Sequence, residues 1–368
     1  MGRDSGKDKR YIQISDNISC MRIALVAPFE ESVPPEKYGG TELVVSNIAE
    51  CLVDMGHEVW LLASGDSVTK AELVPIFPRA IRKEEFAVDM NTRNALKFIG
   101  IARVVDELKK LDVQVVHNHI GWRLIPFAGQ IAAPMVTTLH GPLDVPYQQF
   151  VYGRFPDHPY VSISDSQREP FNKLNFAGTV YNGIDLSLFD FNGIPGDHLA
   201  FLGRMSPEKG PKQAIEIAKK AGVKLVMAAK VDAVDRKYFD EEIAPLIDGK
   251  DVVFLGEVGP EGKNELLNNA MALLAPIQWR EPFGLFMTEA MACGTPVIVT
   301  DMGSAPELVK DGETGFVVKN DIDDFVEAVR KVGGINREAC RKRVEDMFSK
   351  EKMTEGYLDI YEKVINKK

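Results

Sequence analysis

Arg22-Ile-Ala-Leu-Val-Ala-Pro28, then Thr41–Met55, then Glu58-Val-Trp-Leu-Leu-Ala63 is the stretch whose reading decides the fold. The outer segments are short, nearly continuous apolar runs, as expected of strands buried on both faces. Between them Leu43, Val44, Ile48, Cys51 and Leu52 recur at helical spacing, and Gly56 follows as a C-terminal stop. Strand, helix and strand in that order make a βαβ unit of a parallel sheet.

Working outward, the pattern repeats. A helix near Arg93–Leu111 leads into strands at Val113–His117, Pro134–Leu139 and Tyr160–Ser164. A second series starts at His198–Gly203, continues through a helix at Lys212–Ala221 and a strand at Val223–Ala228, and adds Val252–Leu255 and Ala272–Ile277. A helix from about Gly284 and the strand Pro296–Thr300 complete it. Phe191–Asp197, rich in Gly, Asn and Pro, reads as the linker between the two series. The expected architecture is α/β, two Rossmann-like, doubly wound parallel-sheet domains facing across a cleft. Residues 21–192 and 193–349 form the halves. Residues 350–368, with Met353, Tyr357, Ile360, Tyr361 and Val364 at helical spacing, form a helix that packs back on the first half. Residues 1–20 are polar and lack an apolar core, so they read as a leader extension or disordered tail rather than a signal peptide.

The 368 residues suit two domains at roughly 150 residues each. With 44 Lys+Arg against 54 Asp+Glu the net charge is −10, which argues against a non-specific nucleic-acid binder. No apolar run reaches the length of a membrane span, although peripheral membrane contact stays open. Cys20, Cys51, Cys293 and Cys340 are widely spaced and form no zinc-like group, as in a reduced cytoplasmic protein.

Ligands of doubly wound sheets sit at the carboxyl ends of strands, so the loops there carry the candidate chemistry. After the first strand the chain has no GxGxxG but a Pro-rich loop ending in Tyr38-Gly39-Gly40-Thr41-Glu42. Paired glycines at a helix N-terminus let amides approach an anion, whereas the bland alternative is a turn capped by Thr41. Gly203-Arg204-Met205-Ser206-Pro207-Glu208-Lys209-Gly210 offers a guanidinium fork and a point charge for a diphosphate, or else a solvated turn that starts a helix at Ser206-Pro207. On this reading the cleft carries the sign opposite to the acidic surface at Arg204 and Lys209. Glu281-Pro-Phe-Gly-Leu-Phe-Met-Thr-Glu289 places one carboxylate before a helix and one just over a turn inside it. The amides of Phe283, Gly284 and Leu285 then face the cleft, and the two acids suit a hydroxyl-rich ligand.

These segments, with Gly294-Thr295-Pro296-Val297, Gly303, Pro306-Glu307 and Gly312–Phe316, closely resemble retaining glycosyltransferases of family 4 with the GT-B fold. Gly39-Gly40, His140-Gly141 and Tyr181-Asn182-Gly183-Ile184-Asp185 extend the likeness through the first half, so that it covers residues 21–365. The resemblance implies that Arg204 and Lys209 hold the donor diphosphate, that Glu281 contacts the donor sugar and that Glu289 takes the ribose. It also implies that Phe283, Gly284 and Leu285 lend amides, that Gly40 approaches the diphosphate from the other side, and that His140 reaches the sugar across the cleft. Gly256-Glu257-Val258 resembles the segment that reads the base. Lys230, in Met227-Ala228-Ala229-Lys230 where many relatives carry Gly, is a weaker candidate.

The expected activity is transfer of a hexose from a nucleotide sugar to an acceptor hydroxyl with retention, giving an α-glycoside. UDP-glucose is the first donor and GDP-mannose the second, with no cofactor and no metal. A Ser/His/Asp nucleophile arrangement is not evident. His117 and His119 point the same way on a strand but lack a third ligand, so a metal site is not expected. Tyr38, His119 and Trp122 are the acceptor-side candidates, with packing as the alternative. Rival readings are a same-fold epimerase or phosphorylase, and a silent sugar-nucleotide-binding protein. Acceptor and oligomeric state are not legible.

Overall fold

The computed structural model describes residues 20–37, 39–87 and 89–367. Two wholly parallel sheets organise it. The first contains β1 (Arg22–Val26), β2 (Glu58–Ser64), β3 (Glu72–Phe77), β4 (Val115–Asn118), β5 (Met135–Thr138), β6 (Tyr160–Ser162) and β7 (Phe176–Thr179) in the order β3-β2-β1-β4-β5-β6-β7. The second contains β8 (His198–Arg204), β9 (Lys224–Lys230), β10 (Val252–Phe254), β11 (Ala270–Ala275), β12 (Val297–Thr300) and β13 (Gly315–Val318) in the order β10-β9-β8-β11-β12-β13. The architecture is α/β with two doubly wound sheets.

Strands β3, β7 and β13 go beyond the runs legible in the sequence. β3 and β7 are the edges of the first sheet. An edge strand needs apolar residues on fewer faces and tolerates a proline, so Glu72-Leu-Val-Pro-Ile-Phe77 and Phe176-Ala-Gly-Thr179 carry a weak signal. Gly315–Val318, half of it inside a loop motif, is likewise a sheet edge.

Helices cover both faces of each sheet. In the first half Val44, Val45, Ile48 and Leu52 of the helix Gly40–Asp54 share one core with Ile23 and Leu25 of β1. Val104, Val105 and Leu108 of the helix Met90–Leu108 close the opposite face. In the second half the helices Leu285–Ala292 and Arg337–Met347 pack on one face, and Pro211–Ala221 and Ile322–Lys331 on the other.

The last helix, Lys350–Asn366, leaves the second half and joins the core of the first. Tyr357 and Tyr361 are fully buried there, beside Val136 and Val161. The crossing point is tight. Ile184 N donates to Phe348 O at 2.9 Å and Lys350 N to Ile184 O at 3.0 Å. A Cβ on Gly183 would overlap the carbonyl oxygen of Ser349, so only glycine permits this approach. Lys350 pairs with Asp185 at 2.6 Å, fixing the Tyr181–Asp185 motif at the junction.

In each sheet the strand order reverses once, between β1 and β4 and between β8 and β11. Such reversals open a crevice beyond the strand ends. Gly39-Gly40 follows β1, His119 follows β4, Arg204 ends β8 with Met205–Lys209 after it, and Glu281–Gly284 follows β11. Both crevices therefore empty into one space.

Candidate active site

That space is a cleft of about 550 Å³ whose lining comes from both halves. Two helix N-termini converge on it. A Cβ placed on Gly40 would lie 3.7 Å from Leu285 Cδ1, so the first residues of Gly40–Asp54 and Leu285–Ala292 face each other. Each end presents unsatisfied amides and the positive pole of its helix, and both helices lack a side-chain cap. Gly39, not Thr41, occupies the cap position, so the alternative of a turn capped by Thr41 does not hold. A glycine there supplies no side-chain acceptor, so the amides stay available to a ligand.

The loop before the second helix is held from several sides. Ser164 Oγ donates to Pro282 O at 2.7 Å, and Ser304 Oγ to Phe283 O at 2.6 Å. Gly284 has φ 87°, and a Cβ on it would meet Met287 Cε, so the turn that aims the amides requires glycine. The Phe283 ring lies in the core against Tyr181 and Phe348, which leaves only its backbone for a ligand.

The charged groups of the cleft pair with one another. Lys209 Nζ donates to Glu281, and Trp279 Nε1 donates to the same carboxylate oxygen at 3.1 Å. Lys209 also sits 5.2 Å and 5.0 Å over the rings of Trp279 and Phe286. Glu289, 3% exposed, accepts from Lys263 Nζ at 2.6 Å. Arg204 Nη2 donates to Glu208 at 2.6 Å, its Nη1 lies 4.0 Å from Asp232, and Lys230 approaches that same carboxylate at 3.2 Å. Lys209 stands on a short 3₁₀ turn, Pro207–Lys209. Left-handed Gly210 separates it from the helix, which therefore starts at Pro211 rather than at Ser206-Pro207.

Seven carboxylates (Glu30, Glu31, Glu42, Asp232, Glu257, Glu281, Glu289) and six cations (Lys37, Arg82, Arg204, Lys209, Lys230, Lys263) line the space. It is near balance as a whole, with Arg204 and Lys209 each paired to an acid. The attraction for an anion comes from paired cations and helix ends rather than from net charge. Among the lining acids, burial pushes the Glu42 carboxyl up to about 7.

Every donor-side residue read from the sequence lines this cleft: Gly40, His140, Arg204, Lys209, Val258, Glu281, Phe283, Gly284, Leu285 and Glu289, with Lys230 beside them. His119 and Trp122 line a neighbouring cavity of about 240 Å³ with Arg123, Tyr147 and Gln148. His140 and Glu30 belong to both walls, so the two spaces meet at His140. Tyr38 lies outside the described residues. Among the described residues no group of three or more His, Cys, Asp or Glu side chains could hold a metal ion.

Sequence reading missed Lys263, Trp279 and Glu42. Lys263 lies in the helix Pro260–Asn268, directly after the Gly256–Val258 segment, and that proximity is the available signal. Glu307 has a role that no motif spelled out. Its carboxylate accepts from Asp165 N at 2.8 Å, Ser166 N at 2.7 Å and the Tyr181 hydroxyl at 3.0 Å, clamping the second half to the first.

Two facing doubly wound domains, with a helix N-terminus from each half turned to the cleft between them, make up the GT-B architecture of glycosyltransferases. The family models agree: residues 195–346 match glycosyl transferases group 1 and residues 38–188 match glycosyltransferase family 4. The chain belongs to this glycosyltransferase family. It is 26% identical over 351 residues to D-inositol 3-phosphate glycosyltransferase of Mycolicibacterium smegmatis, covering 80% of this chain and 78% of the relative. It is 27% identical over 344 residues to phosphatidyl-myo-inositol mannosyltransferase of the same organism, covering 84% and 83%. Among solved structures it resembles AviGT4, a glycosyltransferase involved in avilamycin A biosynthesis, with TM-score 0.73 and 26% identity over 94% of this chain and 98% of the other. The fold also matches a sucrose-phosphate synthase of Thermosynechococcus elongatus, with TM-score 0.75 and 18% identity over 95% and 100%. No helix among the described residues is long and apolar enough to cross a membrane.

Proposed function

We propose that this chain is a retaining hexosyltransferase. It moves a hexose from a nucleotide sugar to an acceptor hydroxyl, forming an α-glycoside without a metal ion or cofactor. UDP-glucose is the first donor to test and GDP-mannose the second. The observation that carries the reading is the buried couple Lys209–Glu281 and the half-buried couple Lys263–Glu289, flanking the free N-terminus of Leu285–Ala292.

Breaking the bond to a diphosphate puts negative charge on the leaving oxygen and oxocarbenium character on the sugar. Lys209, Arg204 and the two helix ends meet the first charge. In other enzymes one such fixed donor is worth about 3 kcal/mol of barrier. Glu281 meets the sugar, Glu289 the ribose and the Gly256–Val258 segment the base. The leaving phosphate takes the proton of an acceptor hydroxyl that attacks from the same face, next to His140. The acceptor enters through the cavity lined by His119 and Trp122.

The test is a thermal-shift panel of UDP, GDP and ADP sugars, since a ligand held by the folded state raises the melting temperature. The stabilising donor is then turned over in the presence of a chelator. An α-configured product at an unchanged rate supports the reading. An inverted product, or activity restored only by a divalent cation, overturns it.

A further inference from the structure

Three histidines stand at the carboxyl ends of β4 and β5, and the reaction as proposed uses one of them. His117 Nδ1 bonds the Tyr361 hydroxyl at 2.7 Å, and its Nε2 bonds Thr138 Oγ1 at 2.7 Å. Thr138 in turn donates to the Tyr357 hydroxyl at 3.1 Å. The C-terminal helix thus ties down Nδ1 directly and Nε2 through Thr138, on a ring that is fully buried. The His119 ring lies against it with centroids 3.9 Å apart, and His140 stacks on His119 at 5.2 Å. His119 Nδ1 and His140 Nε2 are 2.9 Å apart.

Burial, together with the neighbouring rings, holds His119 well below the usual imidazole range, and burial lowers His140 to about 4. Both rings are neutral near pH 7, so each carries one proton and the bond between them has two possible directions. If His140 Nε2 were the donor, the His119 proton would have to sit on Nε2. That atom is buried with no hydrogen-bond partner. A sealed N–H without an acceptor is the rarer defect in folded proteins, whereas an under-used acceptor is tolerated more often. The reverse direction leaves only a bare acceptor on His119. It also leaves the His140 proton on Nδ1, the nitrogen with no protein partner among the described residues.

We propose that His119 is a positioning residue for His140: its Nδ1–H donates to His140 Nε2 and holds His140 in the tautomer that presents an Nδ1–H donor at the junction of the two cavities. A sugar or acceptor oxygen arriving there meets a preset donor. Tilted and edge-on ring contacts through His117 to Tyr357 and Tyr361 keep the pair oriented. The kinetic consequence rests on the function proposed above; the tautomer does not.

The test begins with ¹⁵N-labelled full-length protein and long-range proton–nitrogen correlation of the histidine rings at pH 7.5, without ligand. His140 protonated at Nδ1 is expected, and a His140 N–H at Nε2 overturns the proposal. In UDP-glucose hydrolysis His119→Phe should lower kcat about tenfold or more with KM changed less than threefold. His119→Asn, whose amide nitrogen reaches the Nδ1 position, should recover kcat to within about threefold of the parent, and His119→Gln should not. Equal rates for the Asn and Gln variants overturn the proposal, and that comparison holds even if the Phe variant fails to fold. Absence of UDP-glucose turnover by the parent would count against the proposed function, while the ring spectra would still decide the tautomer.

Discussion

Lys209 and Glu281 are each less than one tenth exposed, and each is the other's charged partner. Removing one member of a buried pair strands the other, at a cost of about 3–5 kcal/mol. Glu281→Ala should therefore lower unfolding stability by that order in urea titration, in addition to abolishing turnover. Glu289 is also buried, but its partner Lys263 is a quarter exposed and can turn to water. Glu289→Ala should fold nearly as well as the parent and show its loss in nucleotide-sugar affinity, about tenfold or more by calorimetry, or about 1.4 kcal/mol. Glu42 gives a pH signature. Its folded pKa of about 7 stands above the ordinary 4.5, so the folded chain holds an extra proton between those values. Stability contributed by this group consequently falls as pH rises from 4.5 to 7, and the full penalty remains above 7. Glu42→Gln should melt higher than the parent at pH 8 and level with it near pH 4.5. A gain independent of pH would rule out buried charge as the cause.

At the scale of elements, the turn that starts the helix Leu285–Ala292 is the most demanding. Its direction depends on φ 87° at Gly284 and on the two serine hydroxyls that hold Pro282 O and Phe283 O. Gly284→Ala should cost about 1–3 kcal/mol of stability, the usual price of a strained backbone. It should also reduce turnover more than donor affinity, because the amides would miss the developing charge. Steady-state kinetics with a melting curve separates the two effects. The strand-end loops were legible before the fold because glycine, proline and charge are concentrated where buried runs stop. The edge strands β3 and β7 were not legible, since a strand paired on one side need not be apolar on both faces.

The whole molecule is two sheets held together by a returning helix and a clamp. Tyr357 and Tyr361 carry the chain end into the first core, and Glu307 takes two backbone amides and a hydroxyl from the opposite half. Glu307→Ala should leave each core intact but loosen closure. The expected result is a larger radius of gyration by small-angle scattering and a lower kcat/KM at little change in melting temperature. An unchanged scattering curve would show that the clamp does not set the spacing of the halves. Local order determined much of this: runs of Val, Leu and Ile with intervening helical periods specify doubly wound sheets, and the residues after each run mark which loops bear chemistry. Pairing did not follow from local order. That Lys263 answers Glu289, that Lys209 is neutralised by Glu281, and that Tyr361 reaches His117 across 244 positions of sequence depends on which surfaces meet. Contacts between halves are set by shape and burial summed over both cores, and only the folded chain brings those sums together.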